Sequence, residues 1–377
     1  MKTGVKPPSI IIIGPTPPPY HGVAISTQLI LQSPEFSDLN LVHLDTSDRR
    51  SISNIGSFDI GNITLGLWHA LQLSFLMVKY RPALVYLPLS QGTGGFLRDA
   101  TFLLPAKWLR IPTIIHLRGS EFQEFYQAAH PVLQWLIRYS LRGITRAIVL
   151  GQRLRYLFET LLPDEKIAVI PNGAEDFYSE VNAPEMAEKD DKVRGIYLGN
   201  LMSRKGVFVA LKAAVLVARK HPNFEFILAG QWFDQTEKEQ ADALLLAHQD
   251  VADRIHFVGV VTGQTKYTLL QQCDFMVFPP VSPEGHPRVV LESMVAGLPI
   301  ISTDQGAISE TVVDEVTGFI VPTNDIDTVV CKMNLLIENA AKRLEMAEAA
   351  RQRYLKHYTI AQANQALAVL FEQVIAE

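Results

Sequence analysis

The sequence predicts an α/β protein with two parallel sheets, and three observations lead there. Short β-rich runs alternate with helical stretches along the chain, the pattern of strands joined by crossover helices. A polar, acidic stretch from residue 179 to 192, interrupted by Pro184, separates these runs into two sets and reads as a linker. At 377 residues the chain is too long for one ordinary core. That length suits two domains of roughly 150 to 200 residues.

Strands of the first set are placed at 10–13, 41–44, 83–86, 113–116, 147–150 and 168–170. A loop carrying Pro15, Pro17, Pro18 and Pro19, then His21-Gly22-Val23, leads into a first helix from about Ala24. Residues 63–78 come nearest to a membrane span, but Thr64, Gly66, His69, Gln72 and Ser74 interrupt them, so they read as a buried or interfacial helix. Strands of the second set are placed at 195–198, 225–229, 255–258, 275–278, 300–302 and 319–321. Helical pattern resumes at Asp325 and continues to the C-terminus, with a break at 357–359.

Composition narrows the class. With 48% apolar and 19% charged residues the chain reads as globular and soluble. Its cysteines, Cys273 and Cys331, read as two thiols and not a disulfide, which implies a reducing compartment. No run of about 20 uninterrupted apolar residues and no signal-peptide pattern is found, so a cytoplasmic protein is expected.

The most informative run is Glu284-Gly285-His286-Pro287-Arg288-Val289-Val290-Leu291-Glu292. An apolar strand precedes it, Pro287 suits the first position of a helix, and Gly297 suits its end near Ala296. Glu284 then sits in the loop beyond the strand and Glu292 about one and a half turns into the helix. Amides of the helix's first turn, with the positive end of its dipole, suit a diphosphate, while carboxylates accept hydrogen bonds from sugar hydroxyls. A nucleotide sugar satisfies both halves. Taken alone, Glu292 also reads as a solvated helix carboxylate, but the apolar residues on both sides of it argue against that.

The run resembles the Glu-x7-Glu motif of the retaining glycosyltransferases of family 4, group 1 glycosyl transferases with the GT-B fold. Further segments resemble that family's signatures in its order: 9–14 leading into Pro19-Tyr20-His21-Gly22-Val23, then Ile170-Pro171-Asn172-Gly173, Tyr197-Leu198-Gly199-Asn200, Arg204-Lys205-Gly206 and Phe226-Ile227-Leu228-Ala229-Gly230. The resemblance covers nearly the whole chain. It implies two Rossmann-like domains facing across a cleft: an acceptor-binding domain at 1–178, a nucleotide-sugar-binding domain at 179–357, and a C-terminal helix at 358–377 crossing back to the first domain.

It also implies site residues. His116, at the end of a strand, corresponds to a histidine that contacts the donor sugar or reacting centre. A lone strand-end histidine is otherwise more often structural. Gly22 belongs to the loop that meets donor phosphate or acceptor. The family often has a Gly-Gly pair there, and His21 replaces its first member, leaving that residue's role open. Lys205 and Arg204 balance the departing diphosphate; the family's usual arginine position is Asn200 here, so either Arg204 supplies the charge or Lys205 and backbone amides suffice. Glu284 orients the sugar hydroxyls and Glu292 the nucleotide ribose. Gly285, His286, Pro287 and Arg288 complete the donor site, with the side-chain roles of His286 and Arg288 open.

The implied reaction is transfer of a sugar, with retention, from a UDP- or GDP-sugar to a hydroxyl of a glycan or lipid-linked acceptor, as in cell-surface polysaccharide or glycolipid synthesis. No cofactor is expected, and no metal site is visible at ligand spacing. An epimerase or hydrolase on the same fold, or a non-catalytic nucleotide-sugar-binding protein, is the alternative.

Charge is spread unevenly. Residues 1–176 carry 16 of the 34 Lys and Arg but 13 of the 39 Asp and Glu. Arg49, Arg50, Lys79, Arg81, Arg98, Lys107 and Arg110, interleaved with Trp68, Phe75, Phe96 and Trp108, suit peripheral contact with an anionic inner membrane face, or else ordinary solvated charge over a buried aromatic core. A net charge of -5 without a concentrated basic stripe disfavours nucleic acid.

Overall fold

The computed structural model describes residues 7–18, 22–47, 60–177 and 191–377. Expectations resting on Pro19, Tyr20, His21, Arg49, Arg50 and most of the 179–192 linker lie outside the described residues. The chain divides into two compact units, residues 1–172 with 360–377 and residues 173–359.

The first unit contains β1 (Ser9–Gly14), β2 (Asn40–Asp45), β3 (Leu84–Leu89), β4 (Thr113–Leu117), β5 (Arg146–Val149) and β6 (Ile167–Val169). All pair in parallel, in the order β2-β1-β3-β4-β5-β6. Ile10 lies beside Leu41 on one side and Leu84 on the other, so apolar runs stack in register at the centre of the sheet. β3 and β4 are buried along their whole length, as parallel strands covered on both faces require.

Helices Ile60–Tyr80, Thr93–Trp108 and Pro131–Leu141 cross from β2 to β3, β3 to β4 and β4 to β5. They advance across the sheet in one sense, so right-handed connection places all three on one face. Helix Gly22–Leu31 runs the other way, from β1 to β2, and shares the opposite face with the last helix, Ile360–Ala376. There Phe371 packs 5.7 Å from Phe36 and 5.6 Å from Tyr86, ring centre to ring centre, and Asn364 donates to Ser33 Oγ at 2.8 Å.

The second unit repeats the plan with β7 (Val193–Leu198), β8 (Phe224–Ala229), β9 (Ile255–Gly259), β10 (Phe275–Phe278), β11 (Ile300–Thr303) and β12 (Gly318–Val321), in the order β12-β11-β10-β7-β8-β9. Its core is formed by these strands with helices Val207–Lys220, Arg288–Val295 and Ile326–Glu338. Neither cysteine is in a disulfide: Cys273 is buried in this core and donates to Leu269 O at 3.2 Å, and Cys331 is exposed.

The division between the units falls after Asn172, six residues before the position read from sequence. The chain is bound to the second unit as soon as it leaves the first. Ala174 N–H donates to Tyr358 O at 2.9 Å, its carbonyl accepts from Tyr354 Oη at 3.0 Å, and Phe177 stacks on Tyr267 at 3.9 Å.

Candidate active site

In the second unit β7 is flanked by β8 and β10, so consecutive strands diverge to either side of it. A crevice beyond the carboxyl ends of the strands at such a point is where open parallel sheets bind ligands. The loops after β7 and β10 meet there. Arg204 C=O accepts from Val281 N–H at 2.9 Å and Ser282 N–H at 3.0 Å, which clamps the two loops together. Gly206 makes that approach possible: its φ is +78°, and a Cβ there would fall 1.8 Å from Pro279 O.

The clamp sets Lys205 Nζ 2.7 Å from Glu284 Oε1. Both side chains are mostly buried, 21% and 14% exposed, so their attraction is only partly screened. Tyr197 lies beneath, donating to Asn200 O at 3.0 Å and to Lys205 O at 3.3 Å. Burial first, then the Glu284 and Glu237 carboxylates, push its phenol well above the usual range, so it remains a neutral donor.

Arg204 turns to different surroundings. With Ser203, Phe208, Lys212 and Val281 it lines a cavity of about 640 Å³ that neither Lys205 nor Glu284 borders.

Glu284 and Gly285 are supported from β11. Gly306, at φ +57°, presses against them so closely that a Cβ would fall 1.7 Å from Glu284 O, and Ala307 N–H donates to Gly285 O at 2.9 Å. The His286 side chain is buried and bonded at 2.9 Å through Nε2 to Thr311 Oγ1. Thr311 gives its own hydrogen to Ala307 O at 2.8 Å, so the ring nitrogen acts as the donor. Burial, then the charge of Arg288, lower the His286 pKa to about 3, and the neutral ring packs edge-on against Tyr358. His286 therefore braces the loop with its side chain.

Pro287 occupies the N-cap of helix Arg288–Val295, one position earlier than the sequence suggested. Gly297, at φ +69°, follows its end. Glu292 is held by a partner the motif does not contain: Lys266 Nζ, from helix Gly263–Gln271 after β9, lies 2.7 Å from Glu292 Oε1. Two Lys–Glu pairs thus stand at this end of the sheet. Among the described residues no cluster of three or more His, Cys, Asp or Glu is placed to hold a metal ion.

The first unit presents a different group. His116 is buried at the end of β4, its Nδ1 2.8 Å from Tyr86 Oη. Arg118 donates to the same phenol oxygen at 3.1 Å and to Asn172 Oδ1 at 2.9 Å. Burial and the Arg118 charge hold His116 well below its ordinary pKa, so it is neutral. His116 Nε2 and Arg118 Nε are buried with no hydrogen-bond partner among the described residues. Gly22 opens helix Gly22–Leu31, and a Cβ on it would meet no described heavy atom within 4 Å.

Residues 179–353 match the family model of the glycosyl transferases group 1. The second unit is thus similar to that family along nearly its whole length. The group 1 match takes in both Lys–Glu pairs and the clamp between the β7 and β10 loops. Among curated relatives, an alpha-D-kanosaminyltransferase of Streptomyces kanamyceticus is 22% identical over 72% of this chain and 73% of its own. A phosphatidyl-myo-inositol mannosyltransferase of Mycolicibacterium smegmatis is 27% identical over 59% of this chain. The alignment spans only 56% of that mannosyltransferase's length. Among solved structures, Anabaena HepE in complex with UDP-glucose superposes with a TM-score of 0.74 at 17% identity, over 97% of this chain and 99% of HepE. The chain therefore has the two-domain α/β GT-B fold.

Proposed function

We propose that the protein is a retaining, metal-independent glycosyltransferase that moves a sugar from a UDP- or GDP-sugar to a hydroxyl of a glycan or lipid-linked acceptor, at the cytoplasmic face of a membrane, in cell-surface polysaccharide or glycolipid synthesis. The observation that carries this is the Lys205–Glu284 pair, fixed by the clamp between the β7 and β10 loops and lying beside the N-terminus of helix Arg288–Val295. An ammonium and a helix N-terminus together stabilise charge on a departing diphosphate, commonly the largest contribution in such a reaction.

In this reading Lys205 neutralises the leaving group and Glu284 accepts from sugar hydroxyls once the donor displaces it from Lys205. Glu292, poised by Lys266, holds the ribose. In the first domain the unpartnered Nε2 of neutral His116 offers one hydrogen bond to a substrate hydroxyl. The donor is supported by HepE, solved with UDP-glucose, and a lipid acceptor by the mannosyltransferase named for phosphatidyl-myo-inositol.

The test is nucleoside diphosphate release from UDP-, GDP- and ADP-sugars in the presence of chelator, with the anomeric configuration of the product read by NMR. Release that Glu284→Ala abolishes, with retention, is expected. Dependence on added magnesium or manganese, an inverted product, or no release from any donor with a full acceptor panel would overturn the corresponding part.

A further inference from the structure

We infer that the helical layer formed by Ile60–Tyr80, Thr93–Trp108 and Pro131–Leu141 docks on an anionic lipid bilayer. This rests on the membrane location proposed above, and it specifies the surface and the chemistry that recognises the lipid.

The first of these helices is apolar on two sides. Its inward stripe includes the buried residues His69, Leu73 and Met77. On the other side Trp68, Leu71, Phe75 and Val78 recur at helical spacing, and all are exposed, Phe75 by 63% and Val78 by 74%. A second apolar stripe, opposite the one that packs on the sheet and open to solvent, marks an interaction surface. The neighbouring helices continue it, with Trp108 66% exposed at the end of one and Trp135 57% exposed on the other. Three of the four tryptophans in the chain stand on this layer. Amphipathic aromatic rings of this kind favour the headgroup level of a bilayer.

Charge selects the lipid. Between Ile60 and Ser120 the sole carboxylate is Asp99, which is buried and bonded to Arg98 Nη2 at 2.9 Å and to Ser90 N–H at 2.7 Å. Helix Pro131–Leu141 has no acidic residue. Exposed Lys79, Arg81, Arg110, Arg138 and Arg142 therefore border the apolar stripe without exposed acid on these helices, in a protein whose net charge is -5. Lys79 Nζ sits over the Tyr80 ring at 5.0 Å, so the helix ends in a cation at the edge of its apolar face. Apolar insertion ringed by basic side chains is the pattern of a surface that lies on anionic lipid, each cation contributing roughly fivefold to the partition. No described helix is long and apolar enough to cross a membrane, so the contact is peripheral.

The experiment is cosedimentation of the full chain with vesicles of phosphatidylcholine alone and of phosphatidylcholine with phosphatidylglycerol, beside sedimentation velocity without lipid. Expected is binding to the anionic vesicles only, weakened by salt as the screening length shrinks from about 10 Å at 0.1 M to about 3 Å at 1 M. Phe75→Glu with Trp108→Glu should lower the partition at least about tenfold, through lost insertion and added repulsion. Arg81→Glu with Arg110→Glu, at exposed positions outside the core, should do the same and covers the case in which the apolar pair fails to fold. Wild type that pellets with neither vesicle, or both double variants binding as wild type does, would overturn the inference. So would a wild-type dimer that the Phe75/Trp108 variant converts to monomer, since a second copy would then be the occupant. Nucleoside diphosphate release from soluble donor, read on the same samples without lipid, separates this from the proposed activity: its absence beside intact vesicle binding would count against the activity alone.

Discussion

Removing the Lys205 ammonium should damage both the fold and the reaction, by amounts that can be told apart. At 2.7 Å the Lys205–Glu284 attraction is about 6 kcal/mol at an effective dielectric of about 20, before desolvation offsets most of it. Breaking a fully buried pair costs about 3–5 kcal/mol because one charge is left stranded. With Lys205 and Glu284 still 21% and 14% exposed, Lys205→Ala should cost about 2–3 kcal/mol. Glu284→Ala should cost a similar amount, and the double variant less than the sum, since it strands neither charge. Chemical denaturation reads that cycle. Steady-state release of nucleoside diphosphate reads the other effect: loss of an electrostatic donor to the leaving group lowers kcat by about 10² to 10³. Lys205→Arg should recover part of kcat, since it keeps the charge but moves its centre. If Lys205→Ala lost stability as expected but kept kcat within about threefold of wild type, where an oxyanion-type contact is worth far more, the pair would be a structural strut. The leaving-group argument would then fail.

Other predictions follow from the same geometry. Lys266→Met frees Glu292 from its anchor and should raise the donor KM about tenfold or more, the worth of a hydrogen bond to a charged group, with a smaller effect on kcat. His286 is neutral in the fold, with a pKa of about 3, against about 6.5 unfolded. The unfolded chain therefore takes up the proton first as pH falls, so this contribution is complete above pH 6.5 and is lost on acidification toward 3. The loss is at most about 1.4 kcal/mol per pH unit, roughly 2 kcal/mol between pH 6.5 and 5, with buried His116 acting in the same direction. His286→Gln should flatten the fall of melting temperature over that range; an unchanged slope would assign it to other groups. Gly306→Ala, forced to φ +57° with a Cβ 1.7 Å from Glu284 O, should cost about 3 kcal/mol or more and weaken donor binding, read by thermal melts and KM.

Much of this fold is legible in the sequence because parallel strands buried on both faces are short, apolar and separated by punctuated helices. All twelve expected strands overlap observed ones, with 275–278 matched at both ends and no end displaced by more than three residues. Lys205 and Glu284 come from different loops, and what joins them is strand order: β7 and β10 are neighbours although 79 residues separate the two side chains. Lys266 carries no local signal, since it is one lysine on a polar helix. Arg118 and Asn172 stand in recognisable motifs, but their bond depends on how β4 and the segment after β6 meet. The direction of the His286 side chain was hidden as well, because loop sequence does not say which way a side chain points. Of the aromatic residues interleaved with the basic ones, Phe96 is buried while Trp68, Phe75 and Trp108 are exposed. The reading of a buried aromatic core therefore fails for those three.

The most direct test of the central claim is calorimetric titration of UDP-, GDP- and ADP-sugars into wild type, Glu284→Ala and Glu292→Ala. The geometry predicts that one nucleoside class binds wild type, that Glu292→Ala weakens the free nucleoside diphosphate and the full donor alike, and that Glu284→Ala weakens only the full donor. Binding of a nucleotide sugar that both substitutions leave unchanged would place the donor elsewhere and contradict the assignment of this site.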